Sequence, residues 1–284
     1  NIEVLSISPL LDSLQNSPGG IGANVAYNLA LLGERPVLLC SVGTDAKDYV
    51  QRLGEAGIDT SQVHVSELAT ASFNVISDSD GNQVGGFYPG AMSDSGSLSF
   101  EPWKGQNVMA MISAHDPVAM NHQVAECQSY GLPLIYDPGQ QVTHPATDLT
   151  AGIAAATLLF VNEYELGILC EKVVISSDDL KAKLPIVITT LGKNGSVIEG
   201  RQAPEPLQIA IAKPAQVVDP TGAGDAYRAG FLYGYLRQWD LRKCGQLGAV
   251  IASFIVEQQG TQCQFSRQDV VTRYRDNFNE EIEL

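Results

Sequence analysis

Short apolar runs alternate with helix-period segments along most of this chain, and that alternation limits its fold more than any other feature. Strand-like runs fall at residues 37–42, 107–113, 132–136, 157–161 and 185–190. Helical patterns fall at 24–32, where Gly33 supplies a stop, and at 46–56 and 121–130. From residue 222 onward helices dominate, at 222–237, 241–258 and 266–277. Continuous apolar strands separated by helices predict an α/β fold: a mostly parallel central sheet, flanked by helices on both faces. A chain of 284 residues, 44% hydrophobic, has ample material for one large core of that kind.

Two places break the alternation. Residues 2–8 are strand-like. So are residues 71–77 and 83–88, joined by Asp78-Ser79-Asp80-Gly81-Asn82, and Asp-Gly is a strong hairpin signal. These pieces predict a small β layer projecting from the α/β body.

Charge and cysteine usage exclude several classes. The formal net charge is −15, which repels nucleic acid and anionic membrane surfaces. Cys40, Cys127, Cys170, Cys244 and Cys263 are widely spaced and odd in number, which favours a reducing compartment over a disulfide framework or zinc site. The histidines at 64, 115, 122 and 144 show no metal-binding spacing. No Walker-type G-x-x-x-x-G-K-[ST], no G-x-S-x-G and no dinucleotide fingerprint after a first strand appears.

The most informative stretch is Val217-Val218-Asp219-Pro220-Thr221-Gly222-Ala223-Gly224-Asp225. Two β-branched residues are expected to end a strand, a tight turn follows, and a helix begins. Glycines there leave backbone N–H groups bare at the positive end of the helix, a setting that suits phosphate. Asp225 lies in the same turn. A carboxylate beside an anion nest is electrostatically costly unless it has a task, such as taking a proton from an attacking hydroxyl.

Four other turns stay open between two readings. Pro18-Gly19-Gly20-Ile21-Gly22-Ala23-Asn24 is a tight connection, or a close approach to a small ligand with Asn24 as hydrogen-bond partner. Asn162-Glu163-Tyr164-Glu165 is an ordinary helix start, or a place for a carboxylate to hold hydrated Mg²⁺. Thr190-Leu191-Gly192-Lys193-Asn194-Gly195 is a hairpin loop or a phosphate cradle. Asp137 caps a turn, or orients a phosphate or a metal-bound water. All follow strand-like runs except the first, and ligands of open α/β sheets bind beyond strand carboxyl ends.

Taken together, these motifs resemble the PfkB/ribokinase family of carbohydrate and nucleoside kinases over essentially the whole chain. Gly19-Gly20 with Asn24 and the Leu29–Gly33 run looks like the family's N-terminal signature. The stretch from Asp219 to Asp225 looks like its C-terminal signature, which is the more specific. Asn162-x-x-Glu165 and Thr190-x-Gly192 are similar to its metal/phosphate motif and nucleotide loop. The resemblance implies a ribokinase-like fold with a β-sheet lid. One domain would cover 1–284, with lid strands at about 1–16 and 69–98 inserted in a core of 17–68 and 99–284.

The resemblance also implies roles. Asp225 would be the general base, with Gly222, Ala223 and Gly224 as the anion hole. Asn162 and Glu165 would organise Mg²⁺, with Glu165 nearest the metal. Thr190 and Gly192 would touch ATP, and adenine would lie near Ala249 and Gly260. Gly19, Gly20 and Asn24 would hold the hydroxylated substrate, and Asp219 falls where some relatives bind a monovalent cation. A cytoplasmic homodimer joined through the lid is implied as well. In the family a core strand ending in a substrate-gripping Asp precedes the lid strand; here residues 2–8 already look like the lid strand.

Phe87-Tyr88-Pro89-Gly90-Ala91-Met92, Asp137-Pro138-Gly139-Gln140 and the run from Gly224 to Gly230 look like bacterial adenosine-kinase-like members. The expectation is therefore ATP-dependent phosphorylation of a primary hydroxyl on a nucleoside. A free sugar such as ribose or fructose is the alternative, and a non-catalytic nucleoside-binding module the next. A sugar-phosphate acceptor fits less well, because residues 71–92 contain no Lys or Arg.

Overall fold

The computed structural model describes residues 10–77 and 83–284, so the strand expected at 2–8 and the turn at 78–82 lie outside the described residues. In chain order the elements are α1 (Ile21–Leu31), β1 (Cys40–Gly43), α2 (Lys47–Glu55), β2 (Val63–Ser66), β3 (Ser72–Ser77), β4 (Gln83–Tyr88), β5 (Ala110–Ser113), α3 (Pro117–Tyr130), β6 (Leu134–Asp137), α4 (Leu149–Ala155), β7 (Ala156–Asn162), α5 (Glu163–Val173), α6 (Ser177–Lys183), β8 (Ile186–Thr190), β9 (Ser196–Gly200), β10 (Ala203–Ile209), α7 (Ala223–Leu236), α8 (Leu241–Ile255) and α9 (Arg267–Phe278).

The central sheet has strand order β10-β9-β8-β7-β6-β5. Strands β5 to β8 run parallel, and β9 and β10 close the other side antiparallel. Period-two alternation divides the side chains of each parallel strand between two cores. Leu158, Phe160, Ile186 and Ile188 pack with α1, α7, α8 and α9. Leu159, Val161 and Val187 point the other way, to α3, α4, α5 and α6. Both faces are thus saturated with helices, as continuous apolar strands require. Two small sheets stand apart: β1 with β2, parallel, and the β3–β4 hairpin, antiparallel from Ser72↔Tyr88 to Ser77↔Gln83.

The carboxyl ends of the parallel strands share one rim. Ser113 pairs in register with Asp137, and Asn162 with Thr190. Helix α7 brings its N-terminus to this rim because α7 and α8 cross at very short range. A Cβ on Gly230 would lie 2.7 Å from the Leu247 carbonyl oxygen and 2.8 Å from the Gly248 Cα. A Cβ on Gly248 would meet the Tyr227 carbonyl at 2.8 Å. Phe231 then stacks edge-on against Phe160 of β7, with centroids 5.4 Å apart.

Two expectations are corrected. Residues 217–218 do not end a strand: Val217 and Val218 are 70% and 52% exposed. The amides of Val218 and Asp219 instead donate to the Val256 carbonyl at 2.7 and 3.3 Å, so the segment lies against the end of α8. The strand on that side is β10, where Pro204 and Pro206 obscure the strand pattern; an edge position and a register shift between Ala203 and Leu207 accommodate them. The run at 37–42 is strand only from Cys40, with Val37 making an isolated bridge to Asp59.

The α7–α8 crossing gives a direct check. Gly230→Ala should cost about 1–3 kcal/mol through overpacking against backbone that cannot rotate away. Thermal unfolding of the variant measures this; an unchanged melting temperature would mean that the two helices are not held at glycine distance.

Candidate active site

The first turn of α7 is the centre of the site. Gly222 caps it in the left-handed region at φ 83°, and a Cβ there would fall 2.8 Å from the Thr261 Cβ. Glycine is required on both counts. The expected anion hole at Gly222, Ala223 and Gly224 is altered at one amide, because Ala223 N–H donates to the Pro220 carbonyl at 3.2 Å. The amides of Gly222, Gly224 and Asp225 have no acceptor among the described residues, and these are the N–H groups free at the positive end of the helix.

Asp225 is partly buried beside them. Its Oδ2 accepts a 2.8 Å hydrogen bond from Asn24 Nδ2. Asn24 is itself buried, and its amide orientation is set by other partners: Gln262 Nε2 donates to its Oδ1 at 3.1 Å, and the Thr261 hydroxyl lies 3.0 Å from the same oxygen. Gln262 also donates to the Tyr49 hydroxyl at 2.6 Å, which in turn donates to the Gly19 carbonyl at 3.0 Å. A polar chain therefore runs from the glycine turn before α1, through the loop after α8, to Asp225. Tyr49, Thr261 and Gln262 escaped the sequence reading because they belong to no glycine-rich or acidic turn motif.

Charge is concentrated at the rim. Asp137, at the end of β6, is fully buried, and Arg228 Nη2 meets its Oδ1 at 2.7 Å. Burial pushes the Asp225 carboxyl up to about 6; Arg228 and the Asn24 hydrogen bond oppose this, and Asp137 and Glu165 add to it. Burial also raises Glu165 above the usual carboxylate range, with Asp137 contributing and the Asn162 amide opposing. Burial alone would lower the pKa of Arg228, but Asp137 raises it, so the guanidinium stays charged.

The remaining candidates are distributed around this centre. Asn162 and Glu165 form a reciprocal capping box at the start of α5: Asn162 Oδ1 accepts from Glu165 N–H at 2.8 Å, and Glu165 Oε2 accepts from Asn162 N–H at 2.9 Å. The helix-start reading is thus correct for both, while the charge of Glu165 still reaches Asp225. Thr190 ends β8 beside Asn162, and Gly192, at φ 56°, opens the turn to β9 with free space where a Cβ would stand. Ala249 is buried in α8. Gly260 also faces open space, and its N–H donates to Asp219 Oδ2 at 3.1 Å. Asp219 Oδ1 accepts from Thr221 N–H at 2.9 Å, so this carboxylate staples two loops. Gly19 and Gly20 are exposed, and Gly20, at φ 95°, caps α1. No hydrogen bond joins Thr190, Gly192 or Ala249 to Asp225 among the described residues.

An anion nest, an adjoining carboxylate of raised pKa and a rim of strand ends define a phosphoryl-transfer type of site. Comparison with known proteins agrees with that class. A match to the pfkB family of carbohydrate kinases spans residues 6–267, and the chain belongs to this family. It is 35% identical over 261 residues to a nucleoside kinase of Methanothermobacter thermautotrophicus, covering 90% of this chain and 83% of the relative. The structure of Burkholderia thailandensis nucleoside kinase in complex with inosine superposes with a TM-score of 0.90 at 30% identity, covering 97% of this chain and 93% of that one. The same enzyme in complex with ADP-inosine gives a TM-score of 0.87 at 29% identity, covering 99% and 88%.

The raised pKa of Asp225 carries a stability cost with a definite sign. Its ordinary value is about 4 and its folded value about 6, so the folded chain holds the proton more tightly than the unfolded chain. That contribution is complete below the unfolded value and is lost as pH rises through the folded one. Asp225→Asn should therefore melt higher than the wild type at pH 8, by the equivalent of about 3 kcal/mol at most, with the gap closing toward pH 4. Melting curves across that range measure it; a constant gap, or a less stable variant at pH 8, would contradict the assignment.

Proposed function

We propose that this chain is an ATP-dependent nucleoside kinase, with Asp225 as general base. The observation that carries this is the position of Asp225: a proton-accepting carboxylate in the same helical turn as the amides of Gly222 and Gly224, which have no acceptor among the described residues. A primary hydroxyl placed on Asp225 gives up its proton to the carboxylate as its oxygen bonds to the γ-phosphorus of ATP, while the bond from that phosphorus to the β,γ-bridging oxygen breaks and ADP leaves. The free amides of the turn take up the charge on the transferring group. Asn24 donates to Asp225 and so orients the carboxylate that receives the proton. Positioning and fixed dipoles supply most of such catalysis. The nucleoside preference rests on the relatives named above, which are nucleoside kinases.

The rim also fits Mg²⁺. Asp137, Glu165 and Asp225 share the site with Arg228, leaving two negative charges in excess when all four are ionised. Among the described residues no three His, Cys, Asp or Glu side chains are placed to cage a metal. Mg²⁺ keeps several waters and needs few protein ligands, so Glu165, with one carboxylate oxygen outside the capping box, suits it as a partner through water. When bound, the ion shields the charge of the phosphates. Thr190, Gly192, Ala249 and Gly260 would line the ATP side, and Gly19 and Gly20 the acceptor side. A monovalent cation near Asp219 belongs to the same proposal: each oxygen of that carboxylate accepts one amide and keeps a second acceptor site.

Two wider expectations belong to the same proposal. The β3–β4 hairpin acts as a lid within a single kinase domain and joins two copies of the chain. It exposes Phe73 and Val84 at 68% and 76%, together with Phe87 and Tyr88, an apolar surface that a second lid would cover. All five cysteines are free, which suits the cytoplasm.

A coupled ADP-release assay with ATP, Mg²⁺ and a panel of nucleosides, ribose and fructose tests the function. A nucleoside should give the highest kcat/KM; a free sugar in first place would overturn the acceptor class, and no ADP release with any acceptor the kinase itself. Asp225→Asn should still bind ATP but lose about 10³-fold or more in kcat, the scale of a missing general base. Near-normal turnover in that variant would remove Asp225 from the role.

A further inference from the structure

Arg228 is the feature of the rim that the reaction outlined above does not use. It lies one turn after Asp225 on α7 and is 7% exposed. Three observations surround it. Its Nη2 is 2.7 Å from Asp137 Oδ1, which ties α7 to the end of β6. Its Nη1 would lie 2.8 Å from a Cβ on Gly224, so the guanidinium runs directly alongside the turn with the free amides. Its plane lies near the Phe160 ring, 5.7 Å from the centroid, on the strand that leads to Asn162.

The pair is poorly built for stability alone. Asp137 Oδ2 and Arg228 Nε are both buried without a hydrogen-bond partner among the described residues. A buried ion pair gains little over an apolar pair of similar volume, and each unsatisfied atom adds to its cost. Its location supplies a better reason for it. The carboxylates facing Asp225 are Asp137 from β6 and Glu165 from α5; Asn24 faces it from α1 as a neutral donor, and Arg228 is the cation. Without the guanidinium, three carboxylates would crowd one partly dry rim, and Asp225 would hold its proton more firmly.

We propose that Arg228, anchored by Asp137, is a positioning residue for phosphoryl transfer: it fixes the first turn of α7 on the sheet rim and places a permanent positive charge beside Asp225. This inference rests on the kinase reading and acts through Asp225, not through contact with the acceptor. It makes a prediction that packing alone does not. Removing the cation and removing its anchor should affect Asp225 in opposite directions, because Arg228 favours the ionised form and Asp137 disfavours it.

The test compares full-length wild type, Arg228→Met, Arg228→Lys and Asp137→Asn, using the nucleoside that the wild type turns over best. Steady-state kinetics would be recorded from pH 5 to 8.5. Arg228→Met should lower kcat about 100-fold while both KM values stay within about threefold, with the acid limb of the kcat profile moved to higher pH. Arg228→Lys should keep the limb near the wild-type position, with part of kcat recovered. Asp137→Asn should move the limb to lower pH. A kcat for Arg228→Met within about threefold of wild type, or limbs that stay fixed or move together in the Met and Asn variants, would overturn the proposal. Should Arg228→Met fail to fold by circular dichroism, the Asp137→Asn limb decides: a downward move supports the proposal, and a fixed or upward one overturns it. A wild type that phosphorylates no acceptor overturns the kinase reading and this inference together. An active wild type with unaffected variants overturns this inference alone.

Discussion

The first turn of α7 is pinned from three sides, and the rest of the site depends on that restraint. Gly222 lies against Thr261, Asp225 accepts from Asn24, and Arg228 reaches Asp137. The three contacts come from the loop after α8, from α1 and from the sheet. A helix terminus has orphan amides wherever it occurs, but they form a specific pocket only if the terminus cannot move. Here the glycine crossing of α7 and α8 sets the depth of the helix, and the three polar or close contacts set its rotation and advance.

Electrostatics explain how so acidic a chain can receive a polyanion. The surface as a whole, at −15, opposes ATP. Opposition from distant charges is screened within about 10 Å at ordinary salt, whereas dipoles and charges in a partly dry cleft act at close range. The amides of the α7 terminus and the Arg228 guanidinium act at that range. The carboxylates around them supply the negative charge that a divalent ion would neutralise.

Much of this was legible from residue patterns, and the omissions have physical causes. The parallel strands were readable because each is apolar on both faces, as in Leu158-Leu159-Phe160-Val161. The helix starting near Gly222 and the hairpin at 72–88 followed from glycine and Asp-Gly signals. Strand β10 was hidden by its prolines, and Val217-Val218 misled because β-branched residues also occur in extended segments that pair with no strand. Turn motifs brought Asp225, Asn24 and Glu165 into view. The partners that orient Asn24 did not appear, because Thr261 and Gln262 lie 237 and 238 positions away from it and nothing local marks either. Arg228 stood in the helix pattern as one more residue; only the fold reveals that it points inward, onto Asp137 some 91 positions earlier.

The Thr261 hydroxyl has a single proton and two acceptors within reach, the Pro18 carbonyl at 2.9 Å and Asn24 Oδ1 at 3.0 Å. The strap leading into α1 and the amide that steadies the carboxylate therefore share one donor, and Thr261 joins the two segments through a single hydroxyl.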